Sequence, residues 1–175
     1  MRDNDVLENN SHISRSALAA IHDQVFAWAL SRCDYERALA EDLVQQTYVE
    51  LLTGKAKFQA RSSLKTFVFS VVQNLARSRF RRVASRIRLV QVMRQSDVEE
   101  FAVADLPADH PTLWQAVQNL PQRQRDIIEL IFCRDMTVEE ASRVMGVTVG
   151  TGRVHYDRAK KALRVSLTSG IENAS

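Results

Sequence analysis

Four cations, Arg153, Arg158, Lys160 and Lys161, crowd a short stretch near the end of the chain. Thr148 and Thr151 stand just ahead of them or among them, and one acid, Asp157, interrupts the run. Cationic side chains at that density neutralise phosphates, and hydroxyls beside them add hydrogen bonds, so the chemistry indicated is nucleic-acid contact. A second concentration of cations is larger. Residues 51–96 hold eleven Lys or Arg and no Asp or Glu. A solvated helix face usually mixes signs, so this stretch suits a surface that meets phosphates.

Short helices over residues 121–163 must position the first group. Pro121 suits the first turn of a helix, where its missing N–H costs nothing. Thr137 with Glu140 three residues later forms a capping box, so a helix starts at Val138. Val138, Ala141, Val144 and Met145 give that helix one apolar face. Gly146 takes the left-handed conformation that ends it and turns the chain. Thr148 caps the next helix, predicted over residues 149–167. The pattern is a helix-turn-helix, which places its last helix in a DNA major groove. Any small helical bundle shares the periodicity. The short turn, the small residues Ser142 and Gly146, and the exposed cations together favour DNA.

A chain of 175 residues holds one ordinary domain or two small ones, and 45% hydrophobic content supports real cores. Few Gly and Pro and no strand signals point to an all-α fold. No run of about 18 apolar residues is present, so no membrane span is expected. The acidic, apolar-poor N-terminus is not a signal peptide, and the expected location is the cytoplasm. Cys33 and Cys133 lie far apart, show no metal spacing, and read as buried small hydrophobes. No metal or other cofactor is implied. His12, His22, His110 and His155 are scattered, and no acid/base pair or phosphate-cradling glycine loop appears, so an enzyme is not indicated.

Further helices are predicted over residues 14–31, 35–53 and 63–93, with Gly54 ending the second. The long third helix carries the bulk of the acid-free cations, although its Val71-Val72 pair weakens the helical signal. Residues 95–111 read as an acidic linker, since residues 97–109 hold five acids and no base. A short helix over 112–120 is expected to pack through Leu113, Trp114 and Val117. The reading is two small helical domains, residues 12–94 and 112–169, joined by that linker.

These residues resemble the extracytoplasmic-function (ECF) group of bacterial sigma-70 factors, which keep only the sigma-two and sigma-four domains. The N-terminal pattern is Ala40-Glu41-Asp42-Leu43-Val44-Gln45 with Thr47-Tyr48, then Phe58, Leu64 to Phe69, Asn74-Leu75-Ala76 and Arg79-Phe80-Arg81-Arg82. The C-terminal pattern is Leu120-Pro121, Arg123-Gln124-Arg125, Glu139-Glu140, Met145 to Thr151 and Arg158 to Lys161. The resemblance implies binding to core RNA polymerase at the beta-prime clamp and beta flap, with promoter DNA as the second partner. It implies a polymerase contact around Glu41, Asp42, Gln45 and Gln46. It implies a surface that melts the −10 element, built from Phe58, Arg61, Ser62, Ser63, Lys65, Phe67, Asn74, Arg77 and Arg81. Melting needs cations for the backbone and an aromatic face or pocket for an unstacked base. Phe69 reads as core, and Phe67 is open between core and surface. Arg79, Arg82, Arg86 and Arg88 join Arg77 and Arg81 as expected duplex-backbone contacts. The −35 element falls to Thr148, Thr151, Arg153, Val154 and His155, with Arg158 and Lys161 on phosphates. The acidic linker fits either a plain solvated tether or, as the resemblance implies, a segment that threads the polymerase's RNA path in place of transcript.

Several positions depart from the family. Leu39 and Gln46 stand where relatives usually have acids, which thins the polymerase contact. Thr47, Ser62, Ser63 and Thr66 lie nearby, and a phosphate would restore about −1.5 to −2 charges. Control by a Ser/Thr kinase is therefore one expectation, and an anti-sigma factor another. Ser78 replaces an Asp, which favours phosphate contact. His155 and Asp157 depart from commonly basic or neutral positions. Gly152 replaces a packing Val, and Tyr156 is expected to fill the space it leaves. Glycine inside a helix costs roughly 0.5–1 kcal/mol relative to Ala, so Gly152→Ala is expected to stabilise. The rival readings are a one-component helix-turn-helix regulator, and a sigma mimic that sequesters an anti-sigma factor. The acid-free stretch argues against the mimic.

Overall fold

A computed structural model describes residues 13–93 and 111–172, with side chains described for 13–84 and 113–168. Among the described residues every regular element is helical. They fall into two compact units divided after residue 105. The expected acidic linker and the polar N-terminus lie outside the described residues.

Three helices make the first unit: α1 (Arg15–Ser31), α2 (Arg37–Leu52) and α3 (Leu64–Met93). Ser14 caps α1, its Oγ accepting from the Ala17 N–H at 3.1 Å. Between α1 and α2 the chain reverses through Asp34 and Tyr35, both with positive φ. Gly54, also at positive φ, closes α2. Ser63 starts α3, accepting from the Thr66 N–H at 3.2 Å. Leu18, Val25 and Trp28 from α1, Leu43, Val44 and Leu51 from α2, and Val68, Phe69 and Val72 from α3 form the core. Trp28 is its centre: fully buried, stacked on Phe69 at 5.9 Å, and donating its indole N–H to the Phe69 carbonyl. The Val71-Val72 pair sits inside the helix and is buried, so packing overrides the β-branched preference.

The second unit holds α4 (Pro111–Gln118), α5 (Gln122–Ile128) continuing into a π-helical turn (Glu129–Cys133), α6 (Val138–Met145) and α7 (Val149–Glu172). Pro121 is the N-cap of α5, with its carbonyl accepting from Gln124 and Arg125. The Arg125 guanidinium reaches back to the Gln118 and Leu120 carbonyls and closes the end of α4. The Glu129 carboxylate, buried with the helix turn, is neutralised by Arg134 at 3.0 Å. The capping box at Thr137 and Glu140 and the left-handed Gly146 form as the residue types dictate.

Four expectations about packing fail. Leu113 and Trp114 are exposed; of the three expected contacts Val117 is buried, joined by Ala116 and by Leu120 just past the helix end. Cys133 is exposed while Cys33 is buried. Gly152 is not beside spare room. A Cβ there would meet the Ser142 hydroxyl and lie 3.1 Å from the Ser142 Cβ and 3.5 Å from Ile127 Cδ1. The space is already filled by α6 and α5, and Tyr156 turns away from it. The Tyr156 ring lies 6.3 Å from the Phe132 ring, with Lys160 Nζ 4.2 Å above it.

Candidate nucleic-acid and polymerase interface

Helix α2 presents its acids outward because its other side is core. Glu41, Asp42, Gln45 and Gln46 are all exposed, while Ala40, Leu43, Val44 and Thr47 are buried. Each acid already has a cation of its own chain. Arg37 Nε is 2.8 Å from Glu41, and Arg79 is 3.8 Å from Asp42. Such exposed pairs are worth roughly 0–1 kcal/mol, so an incoming partner displaces them cheaply. Glu41 and Gln45 also rim an open groove between α1 and α2, floored by Phe26, Val44 and Tyr48. His22 hydrogen-bonds the Tyr48 hydroxyl at 2.9 Å across it. Burial, with a smaller contribution from Asp23, pushes the Tyr48 hydroxyl pKa up, so it stays protonated and neutral.

Thr47 and Thr66 are not accessible. Thr47 is fully buried and donates to the Leu43 carbonyl, and Thr66 is 1% exposed beside the Ser63 cap. A kinase needs a free hydroxyl, so neither fits the phosphorylation expectation. Ser62 and Ser63 are the two of that group with solvent access.

Above the start of α3, Phe58 leans on Phe67 with ring centroids 5.1 Å apart and planes tilted by 44°. Both rings are half-buried, which places Phe67 at the surface rim, while Phe69 is fully buried. Phe67, Asn74 and Arg81 are spaced by seven residues, two helical turns, and so line one stripe of α3. Arg61, Ser63, Asn74 and Arg81 are exposed, and Ser62, Lys65 and Arg77 half-exposed, around that stripe. Arg79 points elsewhere. Its guanidinium reaches the Leu39 carbonyl and Asp42 on α2, so it ties α3 to α2. The side chains of Arg86 and Arg88 lie outside those described.

In the second unit Thr148 caps α7, accepting from the Thr151 N–H at 3.2 Å, with the two hydroxyls 2.9 Å apart. Thr151, Arg153, Val154, Arg158 and Lys161 are exposed along the outer arc of α7, and His155 is half-buried at its edge. Arg153 pairs with Glu139 of α6 at 2.9 Å, and Asp157 with Lys160 at 3.1 Å. The structure thus gathers the expected residues into an acidic helix face and an aromatic-basic stripe on the first unit, and one helix arc on the second. Residue types alone missed Arg37, the pairing of Arg79 with Asp42 and that of Glu139 with Arg153. The i,i+4 spacing of Arg37 and Glu41 was a readable signal; the other two pairings cross between helices.

Among the described residues the two units make a two-module, all-helical protein with one exposed face that carries acids and two that carry cations. The family model for Sigma-70 region 2 matches residues 18–86, and that for Sigma-70, region 4 matches residues 111–163. The chain belongs to the sigma-70 family, in its ECF group. It is 27% identical over 128 residues to the ECF sigma factor EcfG of Rhodopseudomonas palustris, covering 73% of this chain and 71% of that one. It is 26% identical to SigF of Caulobacter vibrioides, covering 90% and 87%. Among solved structures it is similar to the sigma factor RpoE from Bartonella quintana in complex with the anti-sigma factor NepR. That match has a TM-score of 0.66 and 25% identity, and covers 88% of this chain and 96% of that one. As an ECF sigma factor the chain directs transcription, and such factors are initiation proteins rather than enzymes.

Proposed function

We propose that this chain binds core RNA polymerase through the α2 face, opens the −10 element with the Phe58 loop and α3 stripe, and reads the −35 element with α7. Residues 12–94 would carry the first two tasks and residues 112–169 the third. The observation that carries the reading is the Phe58–Phe67 pair set over a stripe of Asn74 and Arg81 on an acid-free helix. Exposed aromatic edges beside cations suit an unstacked base; a regulator that binds only closed duplex has no use for them. The exposed Glu41 and Asp42 match a cationic partner, and the groove beside them gives an apolar side chain a seat. A complex of the similar RpoE with NepR supports an anti-sigma factor as a further partner here. The place of work is the cytoplasm, with the polymerase.

Two variants separate the roles. Glu41→Lys with Asp42→Lys is expected to weaken core binding at least about tenfold, from like-charge contact at the interface. Phe58→Ala is expected to keep core binding and slow promoter opening by roughly tenfold or more, since one base–aromatic stack is worth about 1–3 kcal/mol. Core binding by native electrophoresis and single-round transcription check both; a Phe58→Ala protein that opens promoters normally removes the melting surface from the reading.

Kinase control now rests on Ser62 and Ser63. Ser63 caps α3, and a phosphate there would sit on a helix N-terminus at the edge of the DNA surface, adding about −1.5 to −2 charges. In place of a restored polymerase contact, Ser63→Asp is therefore expected to lower promoter affinity while leaving core binding intact. Filter binding of the holoenzyme measures this, and unchanged affinity in both Ser62→Asp and Ser63→Asp removes the idea.

A further inference from the structure

We propose that Glu139 is a positioning residue for DNA reading: its carboxylate holds Arg153 so that the guanidinium meets a single base edge. The inference rests on α7 as the −35 reader. The two acids in the first turn of α6 divide their work. Glu140 belongs to the capping box, where its Oε2 accepts from the Thr137 N–H at 3.0 Å. Glu139 instead reaches across the turn to the next helix, its Oε1 accepting from Arg153 Nη2 at 2.9 Å. Both partners are largely exposed, at 65% and 49% for the Arg and Glu side chains, so the pair adds little stability.

Its geometry has another use. Arg153 stands at the start of α7, where a helix-turn-helix reaches base edges, next to Val154, which is 47% exposed. A free arginine side chain loses rotamer freedom on binding, and biasing it before DNA arrives removes part of that loss from the binding step. With one nitrogen held by Glu139, the remaining N–H donors of the fork are left to address guanine O6 and N7. The Glu139 carboxyl is held below the usual carboxylate range, first by its own backbone N–H and then by Arg153. It is therefore ionised at neutral pH. A carboxylate beside phosphates otherwise only repels them, so keeping it there costs affinity and returns selectivity. The neighbouring acid Asp157 is occupied by Lys160.

The test uses holoenzyme and a promoter library randomised across the −35 element, with transcripts sequenced for wild type, Glu139→Gln and Arg153→Ala. Arg153→Ala is expected to flatten a guanine preference at one base pair. Glu139→Gln is expected to flatten the same base pair, by on the order of tenfold, and to raise use of poor sites. The other base pairs keep their preferences. A Glu139→Gln profile equal to wild type, while Arg153→Ala flattens one position, overturns the inference and leaves −35 reading intact. Flattening at a different position, or a uniform loss of transcription with unchanged preferences, also overturns it. If neither variant changes any position, the role of Arg153 in −35 reading falls together with the inference.

Discussion

Trp28→Ala unfolds the first helical unit and leaves the second folded. Trp28 is fully buried, stacks on Phe69 of α3, and donates its one polar N–H to the Phe69 carbonyl. Truncating a buried Trp typically costs about 3–5 kcal/mol, combining lost transfer energy with the cavity left behind. A domain of this size is stable by only about 5–15 kcal/mol, so the loss takes a large part of the margin. The damage also reaches function, because that ring joins α1 to α3. With the core loosened, the acids of α2 and the Phe58–Phe67 pair lose their common support. Calorimetry of the full chain is expected to show the first unit's transition lowered by about 12 °C or more, or absent, from roughly 4–8 °C per kcal/mol. The second unit's transition stays in place. An unchanged first transition contradicts the assigned core.

Gly152→Ala destabilises the helix-turn-helix, the reverse of what helix propensity alone suggests. Propensity favours alanine by roughly 0.5–1 kcal/mol. Against that, the new Cβ meets the Ser142 hydroxyl and sits 3.1 Å from the Ser142 Cβ. Rotating Ser142 moves its oxygen but not its Cβ, and breaks the 2.6 Å hydrogen bond from that oxygen to the Val138 carbonyl. Helices α6 and α7 must then move apart. Overpacking of this kind costs about 1–3 kcal/mol, which outweighs the propensity gain. The expected outcome is a second-unit melting temperature several degrees lower, with weaker −35-dependent transcription. Ser142→Gly in the same chain removes the obstructing Cβ and is expected to restore most of the loss. A melting temperature at or above wild type for Gly152→Ala alone contradicts the close contact.

The helices were legible because their signals are local. The Thr137–Glu140 box, the left-handed Gly146 and the Thr148 cap each depend on residues a turn apart, and each forms. The sites were legible as residue types and less so as geometry. Glu41, Asp42, Gln45 and Gln46 reach solvent because the α2 period puts Leu43, Val44 and Thr47 inside. That same period was available to exclude Thr47 as a modification site. Thr66, one turn into α3, faces inward by the same rule beside Phe69 and Val72. What periodicity does not reveal is which helix lies opposite. The contact of Gly152 with Ser142, the turn of Arg79 toward Asp42, and the reach of Glu139 to Arg153 each join two helices. Each needs the packing angle as well as the register. Leu113 and Trp114 failed for a related reason, since a short helix with several apolar residues has more than one face to bury.

Permanganate reactivity of promoter thymines tests promoter opening most directly. The chain, core polymerase and a promoter selected from a randomised library are combined, and unpaired thymines in the −10 element are mapped. Reactive thymines are expected with wild type and core together, none with the chain alone, and a strong loss with Phe58→Ala at full core occupancy. Tight duplex binding by the chain without core, and no reactive thymines when core is added, would contradict a sigma factor that opens promoters through its first unit.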